Sequence, residues 1–147
     1  MINLALIGTG RISEWVLQGA LQDARINVVA VCSRKYETAE AFVSRNLDPL
    51  KTKIYTSVSE LAKDPEIDAV YIGTPNETHC GFAVECLNRG KHVICEKPLA
   101  VSAAEGRMMA EAAKSGGCVL MEAMISTLNP NFRAAVSKFE DIAPVRH

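Results

Sequence analysis

The sequence predicts an α/β fold, a parallel sheet covered by helices on both faces, and three observations carry that expectation. Apolar runs alternate with segments of helical periodicity from Ile2 almost to the C-terminus. Those runs are apolar at successive residues rather than at every second one, as strands buried on both faces are. The first run drops straight into a glycine turn, Gly8-Thr9-Gly10, with a helical pattern behind it.

The elements follow in order. Ile2 to Ile7 is the first strand. The helix after the turn is predicted to place Ile12, Trp15, Val16, Gly19 and Ala20 on one face, the spacing of a helix packed on a sheet. Ile26 to Cys32 is the second strand, and its helix turns Ala39, Phe42 and Val43 inward before Pro49 closes the unit. Lys53 to Thr56 is a short third strand. Ser57-Val58-Ser59-Glu60 has capping-box spacing and opens a short helix that stops around Asp64-Pro65. Asp68 to Thr74 is the fourth strand, and helical spacing returns at Ala83, Cys86, Leu87 and Gly90. His92 to Glu96 is the fifth, Ser102-Ala103-Ala104-Glu105 repeats the capping-box spacing, and Gly116-Gly117 ends that helix. Cys118 to about Met121 is the sixth strand. Phe132, Val136 and Phe139 mark one more helix, and Val145-Arg146-His147 reads as the start of another element. Right-handed crossovers give such strands a doubly wound, Rossmann-type arrangement, with ligands at the carboxyl ends, where Gly8, Ser33, Thr74 and Lys97 fall.

Composition narrows the function classes. At 147 residues the chain is one domain long, and 48% apolar with 22% charged residues suits a globular protein. A formal charge of −1 makes no electrostatic case for nucleic acid or an anionic membrane. No apolar stretch has the length of a membrane span and the N-terminus lacks signal-peptide regions, so a cytoplasmic location is expected. Five cysteines without a C-x-x-C pair read as buried thiols rather than disulfides or zinc ligands. His79, His92 and His147 are too scattered to suggest a metal site, and none is expected.

The glycine turn carries the first chemical signal. Gly8 permits the tight turn, Gly10 lets backbone approach a pyrophosphate, and the helix starting near Arg11 directs unsatisfied N–H groups at the anion. The third small position is Ser13, not glycine or alanine. Ser33-Arg34 ends the second strand, where a carboxylate would bind the ribose hydroxyls of NAD; a hydroxyl and a guanidinium suit a 2′-phosphate instead, favouring NADP over NAD. A surface arginine opening a helix remains the alternative. Thr74-Pro75-Asn76, with His79 one turn on, reads either as a wall beside the nicotinamide ribose or as a plain helix start. Pro98 cannot continue a central strand, so the chain turns at Lys97 and presents it at the sheet edge. There it can exchange a proton with an alcohol or carbonyl, or simply face solvent.

Taken together, Gly8-Thr9-Gly10, Thr74-Pro75-Asn76 with His79, and Cys95-Glu96-Lys97-Pro98-Leu99 resemble the Gfo/Idh/MocA oxidoreductase family. Met121-Glu122-Ala123-Met124 followed by Asn129-Pro130 looks most like its dihydrodiol and glucose–fructose oxidoreductase branch. The resemblance covers essentially the whole chain and implies an NAD(P)-dependent oxidoreductase acting on a sugar, cyclitol or related hydroxy compound. It assigns Lys97 as the catalytic residue. Gly8, Thr9, Gly10, Arg11 and Ile12 map to the pyrophosphate loop, and Ser33 and Arg34 to the adenosine ribose. Thr74, Pro75, Asn76 and His79 map to the nicotinamide side, and Glu96, Lys97 and Pro98 are expected to bind the cofactor as well, with Pro98 fixing the lysine's direction. Residues 1–124 would form the dinucleotide-binding domain, and 125–147 the start of a linker toward the family's second α/β domain, which this chain lacks. The expected partner is a small hydroxy or carbonyl substrate. Homo-oligomers would belong to a full-length form, with this chain inactive alone and monomeric or weakly associating through apolar surface left bare around Met121 to Met124 and the Phe132 stripe. A non-catalytic, dinucleotide-responsive regulatory module is the alternative, and a fold without ligand is the third reading.

Overall fold

In the computed structural model, which describes residues 1–138, six strands form one parallel sheet. They are β1 (Ile2–Ile7), β2 (Ile26–Cys32), β3 (Lys53–Tyr55), β4 (Ala69–Ile72), β5 (His92–Cys95) and β6 (Leu120–Glu122), in the order β3-β2-β1-β4-β5-β6. The helices are α1 (Arg11–Ala20), α2 (Tyr36–Asn46), α3 (Val58–Lys63), α4 (His79–Leu87), α5 (Ala103–Gly116) and α6 (Pro130–Val136). Strand pleating splits the core into two layers. Leu4, Leu6, Ala69 and Tyr71 face α1 and α2, whereas Ala5, Ile7, Val70 and Ile72 face α3, α4 and α5. A register shift between Leu4 and Ala5 skips Val29, which leaves Val28 and Val31 on the first layer and Ala30 and Cys32 on the second. From β1 the chain steps outward to β3, then crosses back to β4 and continues the other way. The loops after β1 and β4 therefore diverge, and a crevice opens between them.

Three local expectations need correction. The inward face of α1 is Ser13, Leu17 and Ala20, with Ile12 and Val16 half-buried, while Gly19 is exposed and Trp15 is 64% exposed. Only a small side chain fits where α1 meets β4, because Ser13 lies against Gly73. Trp15 instead sits beneath the Arg11 guanidinium, 5.9 Å from its ring centre. Ser57 makes no side-chain cap, because the Glu60 carboxylate accepts from Lys63 Nζ at 2.6 Å rather than reaching back. The matching spacing at Ser102 does close: Ser102 Oγ accepts from Glu105 N–H at 3.2 Å, and the Glu105 carboxylate accepts from Val101 N–H. Finally, β6 begins at Leu120 rather than Cys118, whose thiol turns to the Leu87 and Gly116 carbonyls.

Gly117, at φ +63°, ends α5 as the glycine pair implies. Asn129 caps α6 through its side-chain oxygen, and Met121, Met124, Phe132 and Val136 are exposed. Phe139 and Val145-Arg146-His147 lie outside the described residues. All five cysteines are free, with Cys118 half-buried and the rest buried. No helix among the described residues is long and apolar enough to cross a membrane.

Candidate functional site

The crevice is built on the glycine turn. Gly8 sits at φ +107°, and a Cβ there would collide with the Gly73 carbonyl oxygen and come within 2.9 Å of its carbon. Its absence lets the β1 and β4 ends lie side by side, with Gly8 N–H donating to Cys32 O and Gly73 N–H to Ile7 O, each at 2.9 Å. Gly10 differs: a Cβ there would meet nothing within 4 Å, so the space above it is open. It is also the N-cap of α1 and offers no side-chain cap, which leaves the first-turn N–H groups facing that space. Ser13 and Gly73 complement one another, since a Cβ at Gly73 would fall 2.6 Å from Ser13 Oγ and 2.8 Å from Tyr71 Cε1. Ser13 Oγ is fully buried without a hydrogen-bond partner, the one such side-chain atom among the described residues.

A cleft of about 610 Å³ runs over the carboxyl ends of β1, β2, β3 and β4. Gly8, Thr9 and Gly10 line one side, Ser33 and Arg34 the far end, and Thr74 and Pro75 the other side. Ser33 N–H donates to Tyr55 O at 3.0 Å, holding the β2 end against β3. Arg34 is exposed, and its guanidinium has no partner among the described residues. Cys32 forms part of the floor, with burial pushing its thiol up to about 11, so it remains neutral at physiological pH. The sequence reading missed Thr56, Ser57 and Ser59, which bring hydroxyls to the same end as Arg34, and Phe82 on α4. The adjacency of β2 and β3 puts that loop there, and no local sequence signal marks it. A second hollow, about 680 Å³ beside Lys63, Arg89 and Lys91, lies at the opposite edge of the sheet, away from these loops.

The remaining candidates stand outside the cleft wall. Arg11 is exposed and Ile12 half-buried on the first turn of α1. Asn76 is exposed and opens a 3-10 turn, Asn76–Thr78, that leads into α4. His79 is fully buried: Nε2 lies 2.9 Å from Thr74 O and Nδ1 3.0 Å from Pro98 O, so the ring sits behind the loop and ties it to the β5 turn. Glu96 is buried, accepting from Tyr71 OH at 2.9 Å and from Lys97 N–H at 3.1 Å. Burial first, and the Glu96 carboxylate second, push the Tyr71 phenol far above its ordinary value. Pro98 follows a cis peptide and is exposed, as is Lys97, whose ammonium has no partner among the described residues. Among those residues no cluster of three His, Cys, Asp or Glu side chains is arranged to hold a metal.

A glycine turn, an open uncapped helix start and a lysine at the next sheet edge define a family as well as a geometry. Residues 2–124 match the GFO_IDH_MocA model, described as an oxidoreductase family with an NAD-binding Rossmann fold. The chain belongs to this family. It is 39% identical over 146 residues to scyllo-inositol 2-dehydrogenase (NADP(+)) IolU of Bacillus subtilis, covering 99% of this chain and 44% of that protein. It is 40% identical to trans-1,2-dihydrobenzene-1,2-diol dehydrogenase of Xenopus laevis, over 85% of this chain and 38% of the relative. Among solved structures, the 3-ketoreductase KijD10 of Actinomadura kijaniata in complex with NADP and TDP-benzene superposes with a TM-score of 0.86. That match has 25% identity and covers 95% of this chain and 42% of KijD10. The chain thus spans less than half the length of these relatives.

Proposed function

We propose that this chain is the NADP(H)-binding part of an oxidoreductase that transfers hydride between nicotinamide and a CH–OH group of a sugar, cyclitol or related hydroxy compound. The observation that carries the reading is the open space over Gly10, where an uncapped helix start faces the cleft and no Cβ intrudes. Residues 1–124 constitute the cofactor unit in this reading, and 125–147 are assigned to the start of the linker that follows it. The names of IolU and KijD10's bound NADP support the choice of nucleotide, and the unpaired Arg34 with Ser33 at the cleft end suits a 2′-phosphate.

The family's cofactor supplies a hydride acceptor or donor when bound. The residues present fit it: Gly8 and Gly10 admit the pyrophosphate to backbone, α1 offers its first-turn N–H groups, and Thr74 and Pro75 wall the cleft. Lys97 in its amine form takes the hydroxyl proton of the substrate as the C–H electron pair departs as hydride, and in the reverse direction its ammonium returns that proton to the carbonyl oxygen. Among the described residues its side chain has no ion pair or hydrogen bond that would compete.

Titrating NADPH and then NADH while following emission of the exposed Trp15 tests the reading. Saturable quenching tighter for NADPH is expected. Arg34→Ala removes a charge-assisted contact and weakens NADPH by roughly 30-fold, about 2 kcal/mol, with little change for NADH. Equal weakening of both removes the 2′-phosphate assignment. In a full-length protein that carries this domain, saturable cofactor binding with turnover of cyclitols and sugars unchanged by Lys97→Ala would favour a regulatory module instead.

A further inference from the structure

The turn after β5 is gripped from three directions, and every grip falls on backbone rather than on the Lys97 side chain. Before Lys97, the buried Glu96 carboxylate accepts from Lys97 N–H at 3.1 Å with one oxygen and from Tyr71 OH on β4 at 2.9 Å with the other. After it, His79 at the start of α4 holds the Pro98 carbonyl at 3.0 Å. One residue further, Leu99 N–H donates to Glu122 Oε1 on β6 at 2.8 Å. Carboxylates bind backbone N–H groups more strongly than neutral acceptors do, and a buried carboxylate requires such partners. The other His79 nitrogen lies 2.9 Å from Thr74 O; a neutral ring has one N–H, so it donates to one of these two carbonyls and packs against the other, between this turn and the loop that walls the cleft. The ammonium of Lys97 has no partner among the described residues.

We propose that Glu122, His79 and the Tyr71–Glu96 pair form a clamp that fixes the direction in which Lys97 leaves the sheet edge relative to the cleft wall. They are positioning residues, and His79 and Glu96 act behind the cofactor rather than on it. The clamp orients a proton-transfer group, so its purpose rests on the reading of Lys97 given above. Glu122 and Tyr71 reach this turn from β6 and β4, because pairing of β5 with both neighbours brings them to it.

Nuclear magnetic resonance on the intact chain tests this, reading the Leu99 and Lys97 amides and the Lys97 side-chain carbon resonance with and without NADP+. In Glu122→Ala, Leu99 amide exchange rises about tenfold, as expected for loss of one hydrogen bond to a charged acceptor. The NADP+-induced shift of the Lys97 resonance falls by about half or more, a larger proportional loss than that in NADP+ affinity read from Trp15. Glu122→Gln keeps a side-chain oxygen for Leu99 N–H and restores both signals, which a general loss of stability would not allow. Tyr71→Phe, lacking only the hydroxyl, perturbs the Lys97 amide in the same sense and serves if the alanine variant does not fold. Lys97 responses at the wild-type value in both Glu122→Ala and Tyr71→Phe overturn the proposal, as does failure of Glu122→Gln to differ from alanine. If saturating NADP+ leaves the wild-type Lys97 resonance unmoved, the proton-transfer reading falls. Leu99 exchange in the two Glu122 variants still decides the clamp.

Discussion

Replacing Gly8 and Gly10 by alanine, one at a time, separates two tasks that lie two residues apart in one turn. At Gly8 a methyl group meets two penalties. The φ of +107° lies in a region that alanine adopts at a cost of about 1–2 kcal/mol. The new Cβ also sits 2.9 Å from the Gly73 carbonyl carbon and 3.1 Å from Thr74 Cγ2. The threonine methyl can rotate away, but Gly73 is backbone, pinned by its N–H to Ile7 O at 2.9 Å, so overpacking adds about 1–3 kcal/mol. The sum, about 2–5 kcal/mol, is a large share of the roughly 5–15 kcal/mol that holds a domain together. For a chain of this size it lowers Tm by about 10 °C. At Gly10 the backbone has φ −78° and ψ 174°, open to any residue, and a Cβ meets nothing within 4 Å. Gly10→Ala therefore changes stability by less than about 1 kcal/mol. Its methyl nevertheless fills the space a phosphate requires over the start of α1, so NADPH affinity falls by about tenfold or more. Thermal unfolding by circular dichroism and the Trp15 titration measure both quantities on both variants. A Gly8→Ala protein melting within about 2 °C of wild type would refute the close-approach argument. A Gly10→Ala protein that binds NADPH as wild type does would refute the placement of the pyrophosphate.

Two further outcomes follow from buried or ion-paired titratable groups. Burial alone would raise the Asp64 carboxyl, but hydrogen bonds from the Lys53 ammonium, the Tyr55 hydroxyl and Glu66 N–H outweigh it and hold the group down at about 2. Its folded value lies below its ordinary 3.8, so the stabilisation is present above about pH 4 and is lost as pH falls toward about 2. Urea unfolding across that window should show the loss in wild type and a flatter profile in Asp64→Asn; identical profiles would remove Asp64 as the cause. Burial pushes the Cys32 thiol up to about 11 and those of Cys86 and Cys95 up to about 12, so all three resist alkylation in the native state. Ellman's reagent at mildly alkaline pH should find Cys118 first among the five, the rest only on unfolding, and rapid native labelling of Cys32 or Cys95 would contradict this burial.

What the sequence makes legible here is what is decided locally. Continuous apolar runs place β1, β2 and β4 within two residues of their observed limits, because strands mostly buried on both faces leave few polar positions to confuse the pattern. The short, less buried β3 and β6 fall within the same margin. The two capping-box spacings look alike, yet only Ser102 caps. Glu60 has Lys63 one turn ahead to bind, whereas Glu105 has no cation three or four residues on and turns back. The inward face of α1 is misread for a non-local reason: hydrophobicity nominates Trp15, but the fit of Ser13 against Gly73 turns the helix. The same division runs through the site. Gly8, Gly10 and Ser33 each sit where their own strand ends, so a local pattern finds them and puts them on one cleft. Thr56 and Ser57 join that cleft only because β3 pairs with β2, a relation no short pattern contains. His79 and Glu96 fall within recognisable segments and so read as groups that line the cleft. Their buried hydrogen bonds to Thr74, Pro98, Tyr71 and Lys97 turn them the other way, toward the backbone that carries the cleft wall and the lysine. A motif thus joins residues that line the cleft to residues that hold its wall in place, and only the contacts across β4, β5 and β6 tell the two apart.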